Sequence, residues 1–320
     1  MSMTLQARVA RRTVEAEDVV GLVLEAADGG PLPAFQAGAH IDLHLPGGLV
    51  RQYSLCNAPG EAGHYQLGIL RTANSRGGSQ AAHALQPGEL VRISAPRNLF
   101  PLARGAAHHL LLAGGIGITP LLAMAQALYA AGQSFQLHAC ARSEARLPFA
   151  SRLRNAPWSA DTRIHLDRAD GSPSHDLAAI IAAAPAGSHV YACGPAGFIA
   201  AARQAALEAG LEAARFHSES FSAEVAPQEG DQPFEIQIND GRVFQVAADQ
   251  TVAQCLEANG VFIPLSCEQG ICGTCVTTVR EGVPDHRDSY LSEEERASNT
   301  VFTPCCSRAR SPRLVLDIDG

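Results

Sequence analysis

The chain has 320 residues, 46 % of them hydrophobic and 18 % charged, with a formal net charge of −8. That length predicts two or three domains with real cores, and the acidic balance argues against nucleic acid or an anionic membrane surface as a main partner. No uncharged apolar run reaches the ~18 residues of a membrane span, and the opening MSMTLQARVARRTVEAEDVV lacks the apolar stretch of a secretory signal, so the expected location is the cytoplasm.

Residues 1–102 read as β-rich. Short apolar runs (VVGLVLEAA, HIDLHL, YQLGIL, ELVRISA) alternate with Gly and Pro turns, which predicts a barrel or sandwich of antiparallel strands. Within it, Arg51-Gln52-Tyr53-Ser54 brings together an arginine able to clamp a phosphate, a tyrosine able to pack on a flat ring, and a hydroxyl able to bond a ring nitrogen. Alone, RQYS is equally an ordinary strand. Arg76-Gly77-Gly78-Ser79 precedes a helical stretch and offers backbone N–H groups to an anion, although alone it too reads as a turn.

Residues 103–224 change character, alternating strands and helices in the manner of a parallel α/β sheet. HHLLLA runs into Gly114-Gly115-Ile116-Gly117-Ile118-Thr119-Pro120, and a helix follows to Gly132. Glycines between a strand and a helix permit a sharp turn and close approach to a pyrophosphate, which the helix N-terminus favours. FQLHACAR, RIHLD and HVYACGP are further strands, the last ending in Cys193-Gly194-Pro195, and the carboxyl ends of parallel strands are where ligands sit.

The stretch SAEVAPQEGDQP is polar with Pro and Gly, and residues 225–233 are assigned as a linker. Residues 234–320 are β-rich again, with one helix at VAQCLEANG. Nine cysteines cannot all pair in one chain, and in a reducing compartment clustered cysteines suit metal better than disulfides. Cys267-x4-Cys272-x2-Cys275, with a fourth cysteine about thirty residues on, is the plant-type [2Fe–2S] spacing: a tight loop offers three thiolates and a distant strand the fourth. Gly270, Gly273 and Thr274 are small enough to let the backbone donate to the sulfurs. Zinc is the rival, but it commonly takes cysteines as two short pairs. Spacing does not choose between the adjacent Cys305 and Cys306.

The order RQYS, RGGS, GGIGITP, CGP, HSESF resembles the ferredoxin–NADP reductase superfamily. With CEQGICGTC added, nearly the whole chain, including RQYSLCN, RNLFPL, PDHRDSYL and CCSRA, resembles the phthalate dioxygenase reductase family, which includes vanillate demethylase reductases. The resemblance implies an antiparallel barrel for FMN, an α/β domain for NADH and a C-terminal β-grasp ferredoxin domain holding the cluster on Cys267, Cys272, Cys275 and Cys305. It places Arg51, Gln52, Tyr53, Ser54, Leu70, Arg71, Thr72, Gly77, Gly78, Ser79 and Phe221 around FMN, with Leu70 standing where some relatives have lysine. It places Gly114, Gly115, Gly117, Thr119, Pro120, Cys193, Gly194 and Pro195 around NAD. Asp167, with Asp170 as rival, would bond the ribose and repel a 2′-phosphate. Ser54 and Cys193 are the expected catalytic positions.

A flavin is needed because NADH gives its two electrons as one hydride, whereas the cluster accepts one. The implied partner is a terminal oxygenase, Rieske-type and acting on an aromatic acid. A cytochrome P450 is the alternative, and a non-enzymatic [2Fe–2S] redox sensor is the alternative of another class. Asp285-His286-Arg287-Asp288 reads as a structural turn.

Overall fold

A computed structural model describes residues 4–61, 63–72, 77–221, 228, 230–265, 268, 270, 273–288 and 290–320. The chain divides into two compact units, Met1–Phe221 and Ser222–Gly320. The sequence-based barrel and α/β domains thus fall together in the first unit, and its boundary lies three residues before the 224 read from composition.

The first unit opens with β1 (Thr4–Ala16), β2 (Val19–Ala26), β3 (Ala39–His44), β4 (Val50–Ser54), β5 (His64–Leu70), the short helix α1 (Gly78–Ala84), β6 (Leu90–Ser94) and β7 (Arg97–Asn98). The antiparallel order is β4-β3-β6-β1-β2-β5, with β7 beside β3. A bridge between Leu55 and Leu67 joins the two edge strands. Closure removes the exposed edges that would otherwise template aggregation. The interior is filled by alternate side chains, among them Leu22, Leu24, Ile41, Leu43, Leu67, Ile69 and Ile93.

Next come β8 (His108–Gly114), α2 (Ile118–Ala130), β9 (Phe135–Ala141), α3 (Ala150–Asn155), β10 (Thr162–Leu166), α4 (Leu177–Ala182), β11 (Ser188–Gly194), α5 (Ala196–Glu208) and β12 (Phe216–Ser220). The strands form one parallel sheet in the order β10-β9-β8-β11-β12. Every residue of β8 is buried, which is why HHLLLAG is a continuous apolar run rather than an alternating one. The order reverses between β8 and β11, and the crevice at such a reversal is where α/β sheets bind ligands. Cys56, Ala37 and Phe100, from the barrel side, are buried in the same apolar cluster as α2 and one face of this sheet.

The second unit contains β13 (Phe234–Gln237), β14 (Val243–Val246), α6 (Val252–Ala258), β15 (Thr277–Glu281), β16 (Pro284–Asp285), α7 (Glu293–Ser298), β17 (Val301–Phe302), β18 (Arg308–Ala309) and β19 (Arg313–Leu316). Its mixed sheet runs β14-β13-β19-β15-β17 and packs on α6 around Ile236, Leu256, Phe302 and Leu314, a β-grasp arrangement. Both helices start at capping boxes, Thr251 with Gln254 and Ser292 with Glu295. Each box satisfies two backbone donors that a helix start would leave orphaned. The Asp285-His286-Arg287-Asp288 run anchors this unit: Arg287 bonds Asp231 and Asp285, and Arg308 lies 3.7 Å from Asp231. Asp231, inside the stretch assigned as linker, is therefore tied to the body of the second unit.

Candidate functional site

Three groups of side chains assemble from the predicted positions. The first is a cradle on the barrel. Thr72 and Ser79 join the exit of β5 to the start of α1: the Thr72 backbone N–H donates to Ser79 Oγ at 3.2 Å, and the two hydroxyls lie 3.3 Å apart. Gly77 has φ +87°, a backbone only glycine adopts without strain. A Cβ on Gly78 would come 2.6 Å from Arg51 Nε, so the missing side chain is the space the guanidinium arm occupies. Arg51, Thr72, Gly77, Gly78 and Ser79 are thus brought together, while Arg76 lies outside the described residues. Tyr53 is half-buried against the barrel core, and burial pushes its phenol up to about 12.

Three further predicted positions have surroundings of their own. Gln52 donates to Asp42, which also accepts from Arg97. The Arg71 guanidinium is held by Asp18 at 2.6 Å. Leu70 ends β5 half-buried, without a polar group.

The second group lies at the crevice. The β8 and β11 ends touch so closely that three glycines are obligatory. A Cβ on Gly117 would strike the Cys193 carbonyl, one on Gly194 would sit 2.9 Å from Gly114 Cα, and one on Gly114 would meet Pro195 at 3.0 Å. Gly115 has φ +56° and nothing within 4 Å of its would-be Cβ, so its face is open. Thr119 Oγ1 donates to the Ile116 carbonyl at 3.1 Å, and Pro120 occupies the first turn of α2, where its missing N–H costs no helical bond. Asp167 stands half-buried just past β10, and no hydrogen bond or ion pair among the described residues engages its carboxylate. Its rival Asp170 already accepts from the Ser172 backbone and hydroxyl at 2.8 and 2.6 Å.

The barrel and the crevice meet at Ser54. Its hydroxyl donates to Glu219 Oε2 at 3.2 Å, and Glu219 is the register partner of Cys193 across β11 and β12. Burial pushes the Glu219 carboxyl up to about 7. Burial, with the nearby carboxylate, also pushes the Cys193 thiol well above its ordinary value, so Cys193 is a neutral thiol here and not a nucleophile. The sequence alone assigns Glu219 no role beyond its place in HSESF. β12 is a half-buried edge strand with the polar sequence FHSES, so a carboxylate there carries no signal of its own. Phe221, one residue past β12, is 39 % exposed.

The third group is the cysteine site. Cys267 and Cys272 lie outside the described residues. Cys275 and Cys305 are buried together with Ala253 and Cys306. The described part of the loop is left-handed at Glu268, Gly270 and Gly273, with φ of 57°, 73° and 71°. A Cβ on Gly270 would collide with Cys306 Sγ, and one on Gly273 with the Tyr290 ring. A loop so tight, delivering buried sulfur, fits an iron–sulfur cluster. Cys306 Sγ is itself engaged by Thr303 Oγ1 at 3.2 Å and Ser307 Oγ at 3.8 Å.

Residues 236–310 match the family described as 2Fe-2S iron-sulfur cluster binding domain, and residues 94–216 match the N-terminal domain of dimethylamine monooxygenase subunit DmmA-like proteins. A vanillate O-demethylase oxidoreductase of Pseudomonas sp. is 51 % identical over 95 % of this chain and 96 % of its own length. The solved structure of phthalate dioxygenase reductase, titled as a modular structure for electron transfer from pyridine nucleotides to [2Fe–2S], superposes with a TM-score of 0.78 at 35 % identity, covering 98 % of each chain. An intact type IV self-sufficient cytochrome P450 monooxygenase superposes with a TM-score of 0.76 at 36 % identity, over 98 % of this chain and 41 % of that one. With its barrel, parallel sheet and β-grasp unit in the same succession, the chain belongs to the phthalate dioxygenase reductase family, the oxidoreductases that pass electrons through a flavin and a [2Fe–2S] cluster as reductase components of oxygenases.

Proposed function

We propose that this chain is the NADH-dependent reductase of a Rieske-type oxygenase that demethylates or dioxygenates an aromatic acid, working in the cytoplasm. The observation that carries the reading is the junction of Ser54, Glu219 and Cys193, where a barrel hydroxyl meets a carboxyl of the nucleotide sheet beside the glycine crevice. FMN, held by Arg51, Tyr53, Ser54, Thr72 and the Gly77-Gly78-Ser79 turn, would supply the conversion of a two-electron hydride into single electrons. The Gly114–Gly117 turn, Thr119, Pro120 and Cys193-Gly194-Pro195 line the nicotinamide side, and Phe221 closes it near the flavin. Gln52 (held by Asp42), Leu70 and Arg71 (held by Asp18) would complete the flavin site from the barrel wall.

The chain's own chemistry is positioning and charge control. Cys193 is buried and neutral and fills the floor of the crevice. Ser54 orients its hydroxyl by donating to Glu219. Glu219 keeps its proton up to about pH 7, so a hydride passing to the flavin would not meet a second negative charge there. Asp167 bonds the ribose. Cys267, Cys272, Cys275 and Cys305 hold the cluster; Cys306, occupied by Thr303 and Ser307, is its core neighbour.

The test is reconstitution with a purified vanillate O-demethylase oxygenase. NADH-driven release of formaldehyde from vanillate is expected, and NADH oxidation that no Rieske oxygenase couples to substrate overturns the assignment of partner. The likeness to a self-sufficient P450 favours a second reading, a P450 partner, read by the same assay with a ferric P450 as acceptor. NADH oxidation with an added dye separates both from a cluster-only redox sensor.

A further inference from the structure

A closed ring of hydrogen bonds crosses from the barrel to the nucleotide sheet, and no role above uses it. The chain leaving β4 just after Ser54 presents the Cys56 carbonyl to Gln126 Nε2 on α2 at 3.1 Å. Gln126 Oε1 accepts from Arg152 Nη2 on α3, and Arg152 Nη1 donates to Gln66 Oε1 on β5 at 2.9 Å. The Gln66 carbonyl closes the ring by accepting from the Cys56 backbone N–H at 2.9 Å. Cys56 is fully buried, and the three long side chains around it are half-buried.

Other contacts hold the same two layers together. Thr119 and Phe149 pack onto Gly68, where a Cβ would come within 2.7 and 2.9 Å of them. Cys56, Ala37 and Phe100 enter the apolar core beneath α2. Apolar contact is non-directional. The rim pair Arg146–Glu17, 42 % and 50 % exposed, adds little. The ring is directional, as are the Ser54–Glu219 bond and the bond from the Glu17 backbone N–H to the Ala145 carbonyl at 2.7 Å, and it joins two points that matter. Cys56 is two residues from Ser54. Gln126 is eight residues along α2 from Ile118, about 12 Å from the glycine turn at the helix head.

We propose that Arg152 is a positioning residue for hydride transfer: by clamping Gln66 and Gln126 around Cys56 it fixes the barrel segment that carries Ser54 relative to the glycine turn that receives the nicotinamide. This rests on the NADH-to-flavin reading above. A displacement of ~1 Å at reacting atoms costs on the order of 10²-fold in rate, so loosening one ring bond slows the step without weakening nucleotide binding.

The experiment compares the parent holoprotein with Arg152→Ala, Gln66→Met and the double variant. Gln66→Met cuts only the bond to the barrel and keeps the test decisive if Arg152→Ala does not fold. Anaerobic bleaching of the flavin by NADH, and by NADH deuterated at C4, gives rate, half-saturation and isotope effect; hydrogen exchange of the peptide spanning residues 54–57, without nucleotide, reads the geometry directly. A loss of about tenfold in rate at saturating NADH is expected, with half-saturation within twofold, an altered isotope effect, faster exchange at 54–57, and a double variant no worse than the singles. Saturated rates within twofold of the parent, unchanged exchange, or a loss confined to half-saturation overturns the proposal. A parent whose flavin NADH does not bleach overturns the functional reading first, and this inference with it.

Discussion

In the first unit the proposed site residues arrive from elements far apart in the chain, Ser54 from a barrel strand and Glu219 from the last strand of the parallel sheet, and they meet only because two layers pack on each other. In the second unit three of the four proposed cluster ligands come from one short loop, and the fold around it is held by a local ion network, Asp231 with Arg287 and Arg308. The first site is a product of tertiary registry. The second is a motif that a small scaffold presents. Damage should therefore spread differently in the two, and the most drastic test separates them completely. Cys272→Ser or Cys305→Ser is expected to remove all cluster absorbance and the cluster's paramagnetic signal on reduction, with NADH bleaching of the flavin unchanged within twofold. Cys306→Ser should keep the cluster. Flavin lost together with the cluster would show that the units depend on each other; a cluster lost with Cys306 and kept without Cys305 would exchange their roles.

Within the first unit, Ser54→Ala removes the hydroxyl and leaves the Glu219 carboxyl without its donor. A fall of about 10² in flavin reduction at saturating NADH is expected, with cluster content unaffected. Glu219→Gln can still accept from Ser54 and should keep most of the rate measured at pH 6. Its effect is on the profile: the parent should slow as pH rises through about 7, where the buried carboxyl ionises, and the glutamine variant should not. A break near pH 7 that survives in Glu219→Gln belongs to another group.

The two units also differ in how they meet acid. Eleven of the twelve histidines precede Phe221, and burial holds His109 and His138 down to about 4. The unfolded chain takes up those protons near pH 6.5 and the folded chain only near 4, so stability rises with pH across that window, by up to about 1.4 kcal/mol per pH unit for each imidazole. Glu219 acts in the opposite sense, because its folded pKa is raised: its contribution is lost as pH rises through about 7. One carboxyl is outweighed by two imidazoles, with His108, His165 and His217 lowered by burial as well. In the second unit, Arg287 holds Asp231 down to about 2, so its contribution is lost only as pH falls below the ordinary carboxylate range. Between pH 6.5 and 5 the thermal transition of the first unit should fall by several degrees while that of the second stays put. Transitions that move together would remove the distinction.

The same contrast explains what the sequence disclosed. Three of the four proposed cluster cysteines, the Gly114–Gly117 turn and Cys193-Gly194-Pro195 each lie within one short stretch, and the glycines follow from local geometry: the crossing of β8 and β11 admits no Cβ at Gly114, Gly117 or Gly194. The strand and helix alternation was legible for the same local reason, and α2 ends at Ala130, just before Gly132, as the spacing predicts. The roles proposed for Glu219 and Arg152 are not legible in sequence, since their partners lie 165 and 86 residues away and nothing near them reports the pairing. Asp231 reads as linker in sequence because a polar Gly- and Pro-containing stretch looks unstructured until Arg287 is placed beside it.

The smallest expected effect concerns the nucleotide. Asp167 stands past β10 with its carboxylate unengaged among the described residues, whereas Asp170 is consumed by Ser172. The two nearby arginines are turned onto backbone carbonyls, Arg163 onto Ala160 and Thr162, Arg168 onto Pro173. Neither is oriented to receive a 2′-phosphate, and an acidic group in that position repels one. The parent is thus expected to prefer NADH to NADPH strongly in kcat/KM. Asp167→Ala should narrow that preference by about tenfold, equivalent to ~1.4 kcal/mol, mostly by losing kcat/KM with NADH, as removal of a ribose hydrogen bond would. Asp170→Ala should leave the ratio alone. Arg142 is exposed one residue past β9, next to Ala141, whose carbonyl accepts from the Asp167 backbone N–H; if it is the cation that takes a 2′-phosphate, Asp167→Ala combined with Arg142→Ala should lose whatever NADPH activity the single variant gains. An unchanged ratio in Asp167→Ala would move discrimination to the backbone of the crevice, and equal use of both nucleotides by the parent would remove the role of Asp167 altogether.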